Sequence, residues 1–438
     1  MRQAWSRCAA ATAIVAVVGW AASVPAQAAA PSPERAEAHA YQYAVTPERD
    51  PGRWGQLVAS GRVVEALQIS PGELDAMTTP QLLEAVLDYP MLGNFQAYSS
   101  VQDGIEAVRR EFAGLDELLR RPDVAQVVLD AYATADLERL VANEEFPTIT
   151  LSFLELLLAQ PEVLGSLGAA GRQALVSVVL EQLAVKRAAF ATPFYGESGS
   201  SLVLMRSLRV DSADFAAAVQ ADPSAARFLA TGSQEFADQD LAAETQSALA
   251  AGLNDAYGLD VNGAARLPGP SDFTGAREFA VTALGTSQST VYTPKRTRVP
   301  VIVSAREPLT AAQIKDNNMW VMRGYPSAVM LRGSTGKYNC HSYAWFNQAT
   351  SNNVWMNDPS AYMRDGSYRR VVSTGYVNTV PSAAPANARV YYVGGNHSGI
   401  RYSSTRVVSK WGVYGLMRHA PNYTPYSTTT GLTYWTST

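Results

Sequence analysis

One cysteine and the histidines around it are the residues of this sequence best suited to covalent chemistry. The chain has two cysteines, and Cys8 lies in a segment with the features of a removable leader, so Cys340 is left without a disulfide partner. A lone thiol in an exported protein indicates an intermolecular bridge, a reactive group or a buried inert side chain. His341 follows it directly, and His397 and His419 lie downstream. The thiol and these imidazoles could form a nucleophile and its base.

The stretch "RGSTGKYNCHSYAW" places the cysteine at the predicted start of a helix. Asn339 is a favourable N-cap residue, so Cys340 is expected in the first helical turn. Unpaired N–H groups and the helix dipole stabilise a thiolate there, which predicts a lowered thiol pKa. The side chain of His341 should diverge from that of Cys340 by about 100°. We therefore interpret His341 as local support or a surface residue.

His397 is the histidine that the pattern favours as the base. The segments "ARVYYV" and "SGIRYS" have the composition of strands and are joined by a glycine-rich turn, so His397 is expected to open the second strand. Small neighbours, among them Gly399, would leave its ring accessible. A thiolate paired with a protonated imidazole can attack an amide carbonyl, and the imidazole then protonates the leaving amine and activates water. The backbone N–H of Cys340 would stabilise the oxyanion.

This arrangement resembles the NlpC/P60 and CHAP class of papain-like cysteine peptidases and amidases. The class carries a cysteine at a helix start and a downstream "H-V-G-I"-like strand, to which "NCHSYAW" and "NHSGIRY" correspond, and the 56 residues between Cys340 and His397 fit its usual interval. The sequence is also similar to a group of exported bacterial proteins with an "NCHSYAW…HSG…SKWG" pattern. The resemblance covers about the last 90 to 130 residues and implies an α+β papain-like fold there.

The resemblance also implies a third polar residue on the strand after the histidine, and here this sequence departs from the class. Ser409 occupies that zone, where the class has His, Asn, Asp or Glu, and Asn339 stands where an aspartate is common. A hydroxyl orients an imidazole more weakly than a carboxylate does. Tyr338 could donate a hydrogen bond to an oxyanion, although a packed aromatic ring is an equal interpretation. The implied catalytic set is Cys340, His397 and Ser409; whether the chain is an enzyme depends on that third residue.

Two regions of opposite charge must position these residues. Residues 31–290 hold 17 basic and 35 acidic side chains, a balance of −18, whereas residues 291–438 hold 16 basic and 4 acidic side chains, a balance of +12. The first region is rich in Ala, Leu and Glu with helical periodicity, for example in "TTPQLLEAVLDYPML", where Thr79 is the expected N-cap. We predict a multidomain protein, with an acidic all-α domain over 31–260, a linker over 261–300 and a basic papain-like domain over 301–438. The segment "TRVPVIVS" is predicted to be a strand.

The first 30 residues predict export. Arg2 and Arg7 precede an apolar run of about 15 residues and then small residues, which is the order of a secretory signal peptide cleaved near Ala28 or Ala30. The run is short for a membrane span, which needs about 20 residues, and no other long apolar stretch follows. The expected location is therefore extracellular or associated with the cell wall.

The hypothesis that the sequence favours is a secreted thiol-dependent amidase or endopeptidase that acts on peptidoglycan or other wall amide bonds without a cofactor. A basic domain would be attracted to anionic wall polymers, and the acidic domain could dock on it in an inhibitory or positioning role. The alternative is a non-catalytic envelope-binding module in which the cysteine is structural. A zinc site is disfavoured because C-x2–4-C and H-x3–5-H pairs are missing from the sequence. A nucleic-acid partner is disfavoured because no reading motif appears.

Overall fold

The helices of the first region begin where the sequence places capping residues and prolines. In the computed structural model, Thr78 accepts from the backbone N–H of Gln81 in a capping box, so the helix begins at Thr79 and the cap lies one residue before the expected one. Ser70 and Glu73 form a second capping box. The structure describes residues 41–135, 147–190, 197–232, 242–259, 286–305, 307–375, 377–394, 396–426 and 431–438. The predicted leader lies outside these residues.

The first region is helical throughout its described parts, as predicted. Its elements pack their apolar faces into one extended core that contains fully buried side chains such as Trp54, Leu82 and Phe153. The α-helices are Pro51–Ser60, Val63–Ala66, Pro71–Ala76, Thr79–Leu87, Val101–Glu111, Ala113–Arg120, Val124–Ala133, Pro147–Leu158, Pro161–Ser166, Ala169–Phe190, Glu197–Asp211, Ala213–Ala221, Pro223–Thr231 and Ala243–Tyr257, with a 3-10 helix at Leu92–Ala97.

The second region is rich in antiparallel sheet. Its strands are β1 Thr286–Tyr292, β2 Arg298–Ser304, β3 Val329–Arg332, β4 Val354–Trp355, β5 Tyr368–Thr374, β6 Arg389–Val393, β7 His397–Arg401, β8 Val407–Lys410, β9 Leu416–His419 and β10 Gly431–Ser437, with helices at Ala311–Gly324, Ser342–Phe346 (a π-helix) and Ser360–Arg364. The predicted strand "TRVPVIVS" is confirmed as β2. It is preceded by β1, which pairs with it but lies within the predicted linker. The residues of β1 have the polar composition of a linker because most of them are exposed.

The strands form two sheets. A three-stranded sheet has the order β1-β2-β4, and a seven-stranded sheet has the order β3-β9-β8-β7-β6-β10-β5. The hairpin predicted from "ARVYYV" and "SGIRYS" is confirmed, because Tyr392 pairs with His397 and Tyr391 with Ser398. Successive side chains of a strand point to opposite faces, so His397 and Ser398 project to different sides of the seven-stranded sheet.

The helical region and the sheet region share a hydrophobic core. The 3-10 helix Leu92–Ala97 is a principal contact: Tyr414 donates its hydroxyl hydrogen bond to Gly93 O at 2.5 Å, and Tyr426 donates to Ala97 O at 2.6 Å. Gly412 has φ +51°, and a Cβ there would come within 2.4 Å of Ala97 O, so only glycine fits this contact. The described residues accordingly form one compact unit, with helices first and an α+β region after them. No helix within the described ranges has both the length and the apolarity needed to cross a membrane.

Candidate functional site

Cys340 lies at the start of a helical segment, as the sequence predicts. Asn339 Oδ1 accepts a hydrogen bond from the backbone N–H of Ser342 at 3.1 Å, which is the bond of an N-cap. The same side chain bonds the main chain of Met356, accepting from its N–H at 3.2 Å and donating to its carbonyl at 2.7 Å. Asn339 therefore holds the helix start against the end of β4. This gives a physical reason for asparagine at the position where the resemblance implies aspartate: an amide both accepts and donates.

The environment of the Cys340 thiol differs from the expectation of a lowered pKa. Its side chain is 2% exposed, and this burial raises the pKa of the thiol to about 12. Hydrogen bonds from the backbone at Ser398 and His341 and the charge of Lys410 act in the opposite direction, but they are smaller. The helix N-terminus favours the thiolate, but the removal of the thiol from solvent raises its pKa by more than the helix lowers it. In this arrangement the group is a thiol at neutral pH.

His397 opens β7, as predicted, but its ring lies in an apolar layer. The ring stacks on Tyr426 with a centroid distance of 3.7 Å and meets Tyr392 edge-on at 4.7 Å. Neither ring nitrogen hydrogen-bonds any group in the described part of the chain. Burial lowers the pKa of His397 well below its usual range, and the nearby His419 and His341 contribute to this lowering. The structure thus joins His397 to Cys340 by no hydrogen bond among the described residues, and the pairing stays a prediction.

Ser409 is bound to a different histidine from the one expected. Its hydroxyl lies 2.7 Å from His419 Nε2 and accepts from Trp411 Nε1 at 3.0 Å. His419 Nδ1 lies 2.8 Å from Ala420 O, an acceptor only, so Nδ1 carries the proton and Nε2 accepts from Ser409. A Cβ on Gly399 would lie 3.1 Å from Ser409 Cβ, so Ser409 and His397 share a face of the sheet without a hydrogen bond.

A second group of polar side chains lies on the opposite face, next to Cys340. Ser398 Oγ is 2.8 Å from His341 Nδ1 and accepts from Trp345 Nε1 at 2.9 Å. His341 Nε2 lies 3.0 Å from Asn396 Oδ1, so the proton of the neutral ring is on Nε2 and Ser398 donates to Nδ1. His341 is fully buried, which excludes the surface interpretation and supports the one of local support. We call Trp345, Ser398, His341 and Asn396 the Ser398 clamp.

Lys410 is a further buried group on the Cys340 side of the sheet. Its Nζ donates to the carbonyls of Thr335 at 2.9 Å and Gly412 at 2.5 Å, and it lies 5.2 Å from the ring centroid of Tyr338. Burial lowers the pKa of Lys410 to about 7, against the opposing charges of Glu307 and Cys340. Tyr338 is 3% exposed and packs as a core aromatic ring beneath this ammonium group. Its proposed oxyanion contact stays a prediction.

An open cleft borders the Ser398 clamp. It has a volume of about 790 Å³ and is lined by both regions of the chain, including Asp103, Arg298, Trp355, Asp358 and Asn396. Asp358 raises the pKa of His341, although burial lowers that pKa more, to about 4. Asn396, whose Oδ1 lies 3.0 Å from His341 Nε2, is the member of the clamp that lines this cleft.

Sequence reasoning did not assign functional roles to Ser398, Asn396 and Lys410. Ser398 belongs to the "HSG" pattern and Lys410 to "SKWG", so both were visible as polar residues within strand-like segments. A polar residue predicted on a buried strand is the available signal, because such a group needs a partner. No group of three or more His, Cys, Asp or Glu side chains that could hold a metal ion occurs in the described ranges.

The comparisons with known proteins add no relative. No family model matches the chain, and no match is found among curated proteins or solved structures.

Proposed function

We propose that this protein is a secreted thiol-dependent amidase or endopeptidase with a papain-like arrangement in its second region. Cys340 is the nucleophile and His397 its base, with Ser409 as the third polar residue. The observation that carries the proposal is the position of the Cys340 sulfur at a helix start, with backbone hydrogen bonds from His341 and Ser398. Donors placed in this way favour a thiolate, and they favour the oxyanion of a tetrahedral intermediate.

The reaction requires an opened form of the site. A side chain that is 2% exposed meets no substrate, and a thiol with a pKa of about 12 is a poor nucleophile at neutral pH. Water entering at the Cys340 side would remove the burial that raises this pKa, and the backbone donors and Lys410 would then act alone. The thiolate would attack the amide carbonyl, and the protonated histidine would transfer its proton to the leaving amine. Water activated by the same imidazole would release the acyl group.

The charge distribution supports a cell-wall substrate. Residues 291–438 carry a balance of +12, which would attract anionic wall polymers at low salt. The leader-like first 30 residues would deliver the protein to that compartment. The acidic helical region would then limit access to the basic region or position it, through contacts such as Tyr426 with Ala97.

Hydrolysis of purified peptidoglycan by residues 31–438 tests the proposal. New amino groups should appear with the unsubstituted protein, and both Cys340→Ser and His397→Ala should lower the rate at least 100-fold. Tyr402→Phe is a matched control, because this side chain is 61% exposed. Hydrolysis that persists in Cys340→Ser would refute the assignment of the nucleophile.

The burial of Cys340 favours a second candidate, a non-catalytic envelope module with a structural cysteine. A buried thiol with a raised pKa behaves as a small apolar side chain. On this hypothesis, sedimentation of the protein with purified wall polymer persists in Cys340→Ala and His397→Ala, and no bond is cleaved. Binding without any release of amino groups would favour this candidate over the enzyme.

A further inference from the structure

We propose that the Ser398 clamp positions Cys340 for reaction, and that substrate reaches the thiol through the cleft beside Asn396. In this assignment His341 is a positioning residue that acts through Ser398. The inference rests on the proposed function of Cys340 as a nucleophile, and it adds positioning residues to that site.

Ser398 connects the thiol to the clamp. Ser398 contacts both partners: its backbone forms a hydrogen bond with the Cys340 sulfur, and its hydroxyl lies 2.8 Å from His341 Nδ1. Trp345 Nε1 donates to the same hydroxyl at 2.9 Å. His341 and Trp345 both belong to the helical segment that Cys340 begins, so these two bonds fasten that segment to β7. The backbone donor is thereby fixed at the sulfur.

His397 contrasts with the clamp. That ring is enclosed by Tyr426 and Tyr392, and its nitrogens have no hydrogen-bond partner among the described residues. It projects from β7 to the face opposite that of Ser398. In this structure no bond from His397 therefore holds the segment of Cys340 in place, whereas Ser398 and His341 do so.

Two charged groups lie near the clamp and the thiol. The charge of Asp358 raises the pKa of His341, and the ammonium group of Lys410 lowers that of the Cys340 thiol. Burial outweighs both contributions in this structure. The charge separation that thiol activation needs would therefore form only when solvent reaches the site.

The cleft defines the substrate class. Asp103 and Asp358 supply negative charge, Arg227 and Arg298 supply positive charge, and Val299 and Val301 of β2 are apolar lining residues. This cleft lining suits a short peptide that carries both an amino group and a carboxylate, with small apolar side chains between them. Asn396, on the clamp side of the cleft, has φ +46°, a backbone conformation that asparagine tolerates better than most residues.

The decisive experiment measures the alkylation rate of Cys340 by iodoacetamide from pH 5 to 9, by mass spectrometry, in residues 31–438. We expect Ser398→Ala and His341→Leu to lower the rate at pH 8 at least tenfold and to move the profile to higher pH. His341→Asn keeps an acceptor for the Ser398 hydroxyl and should stay within about threefold of the unsubstituted protein. His419→Asn is the matched control, because it alters the equivalent histidine bond on the other face, and it should stay within twofold.

The outcomes separate this inference from the proposed function. If Ser398→Ala and His341→Leu match His419→Asn while His397→Gln abolishes the reactivity, the clamp is only structural and the inference is overturned while the nucleophile stands. If the unsubstituted thiol reacts no faster than free cysteine and no variant changes it, both proposals fail. Loss of reactivity in the clamp variants without any hydrolysis of peptidoglycan would support the clamp and reject the substrate.

A second measurement tests the cleft. Ala361→Trp should narrow it, since Ala361 is part of its lining. We expect a dipeptide chloromethyl ketone with free amino and carboxylate groups to alkylate this variant at least fivefold more slowly, with the iodoacetamide rate unchanged. Ala386→Trp, at an exposed position outside the cleft, is the control. Equal rates for Ala361→Trp and Ala386→Trp would show that substrate arrives elsewhere.

Discussion

Two short hydrogen-bonded chains, each made of a Trp, a Ser and a His side chain, lie on opposite faces of the seven-stranded sheet. The hydrogen bonds in the two are nearly the same length. In one, Trp345 donates to Ser398 at 2.9 Å and His341 lies 2.8 Å from that hydroxyl; in the other, Trp411 donates to Ser409 at 3.0 Å and His419 lies at 2.7 Å. The difference is where each chain ends.

The first chain ends on the side chain of Asn396 at an open cleft, and the second on the backbone carbonyl of Ala420. Only the first also bonds the main chain to a thiol, through Ser398. The same set of residue types can therefore fasten a core or border a reactive group. The group that the histidine contacts, Asn396 in one chain and the Ala420 carbonyl in the other, decides which of these roles the set has. The identity of the residues alone does not decide it.

The largest expected effect comes from the two tryptophans. Trp345→Leu and Trp411→Leu should each lower the free energy of unfolding by about 3 kcal/mol, because both rings are buried and each indole N–H satisfies a serine. Urea denaturation measures this, and the alkylation rate of Cys340 should change in the Trp345 variant alone. Equal changes in that rate would break the comparison.

Acid should destabilise the protein through the histidines of both hydrogen-bonded chains. Burial lowers the pKa of His341 and of His419 to about 4, below the value of about 6.5 in an unfolded chain. The unfolded state therefore binds the proton first, and stability is present above about pH 6.5 and lost as the pH falls toward 4. Each site contributes about 3 kcal/mol to this loss.

Denaturation of His341→Asn and His419→Asn at pH 7.5 and 4.5 checks this expectation. Each variant should lose about 3 kcal/mol less than the unsubstituted protein between the two pH values. Tyr402→Phe should follow the unsubstituted protein. A smaller relief in His341→Asn than in His419→Asn would show that the cleft beside Asn396 lets His341 accept a proton in the folded state.

The serines should act independently of one another. Ser398→Ala and Ser409→Ala each leave a buried indole N–H and an imidazole nitrogen without a partner, at a cost of about 2 kcal/mol. Because they share no partner, the double variant should equal the sum of the single variants within about 0.5 kcal/mol. A coupling energy above about 1 kcal/mol would mean that the two chains communicate through the sheet.

The smallest effect is expected at the cleft end. Asn396→Gly relieves a positive φ but removes the acceptor for His341 Nε2, so its effect on stability should be near zero. Asn387 has φ +59° and contributes its carbonyl to a hydrogen bond with Arg389. Asn387→Gly relieves a positive φ in the same way and keeps its bond, so this variant should be more stable than Asn396→Gly by about 1 kcal/mol, and the difference between the variants isolates the bond to His341. Identical values would indicate that this bond contributes nothing.

Local patterns in the sequence predicted the helices, the β6–β7 hairpin and the cap at Asn339, because these depend on neighbouring residues. The cap at Thr78 was misplaced by one residue because Thr78 and Thr79 are equivalent locally. The thiol pKa was predicted in the wrong direction, since a helix start is visible in the sequence and the burial of Cys340 is not. The partner of Ser409 depends on strand register, and His419 is brought to it by the β8–β9 pairing.

Local sequence patterns also did not predict the core that the two regions share. Opposite charge predicted that they could dock, and one exposed ion pair, between Arg323 and Glu48, does join them. The buried contacts are instead tyrosine hydroxyls that donate to the carbonyls of Gly93 and Ala97. Backbone acceptors of this kind carry no residue signature. A composition change at residue 290 marks a change of secondary structure, and in the described residues it does not divide the core.

The bonds from Tyr414 and Tyr426 to the 3-10 helix set the order in which the chain can fold. They join residues 321 and 329 positions apart, so the helices made first wait for some of the last residues before their core is closed. Such distant closures are slow, and they leave apolar surface open while synthesis continues. A chain that stops before Tyr414 should keep its helices and lose its cooperative unfolding transition. In this protein residues 414–426 complete the core of the helices that precede them.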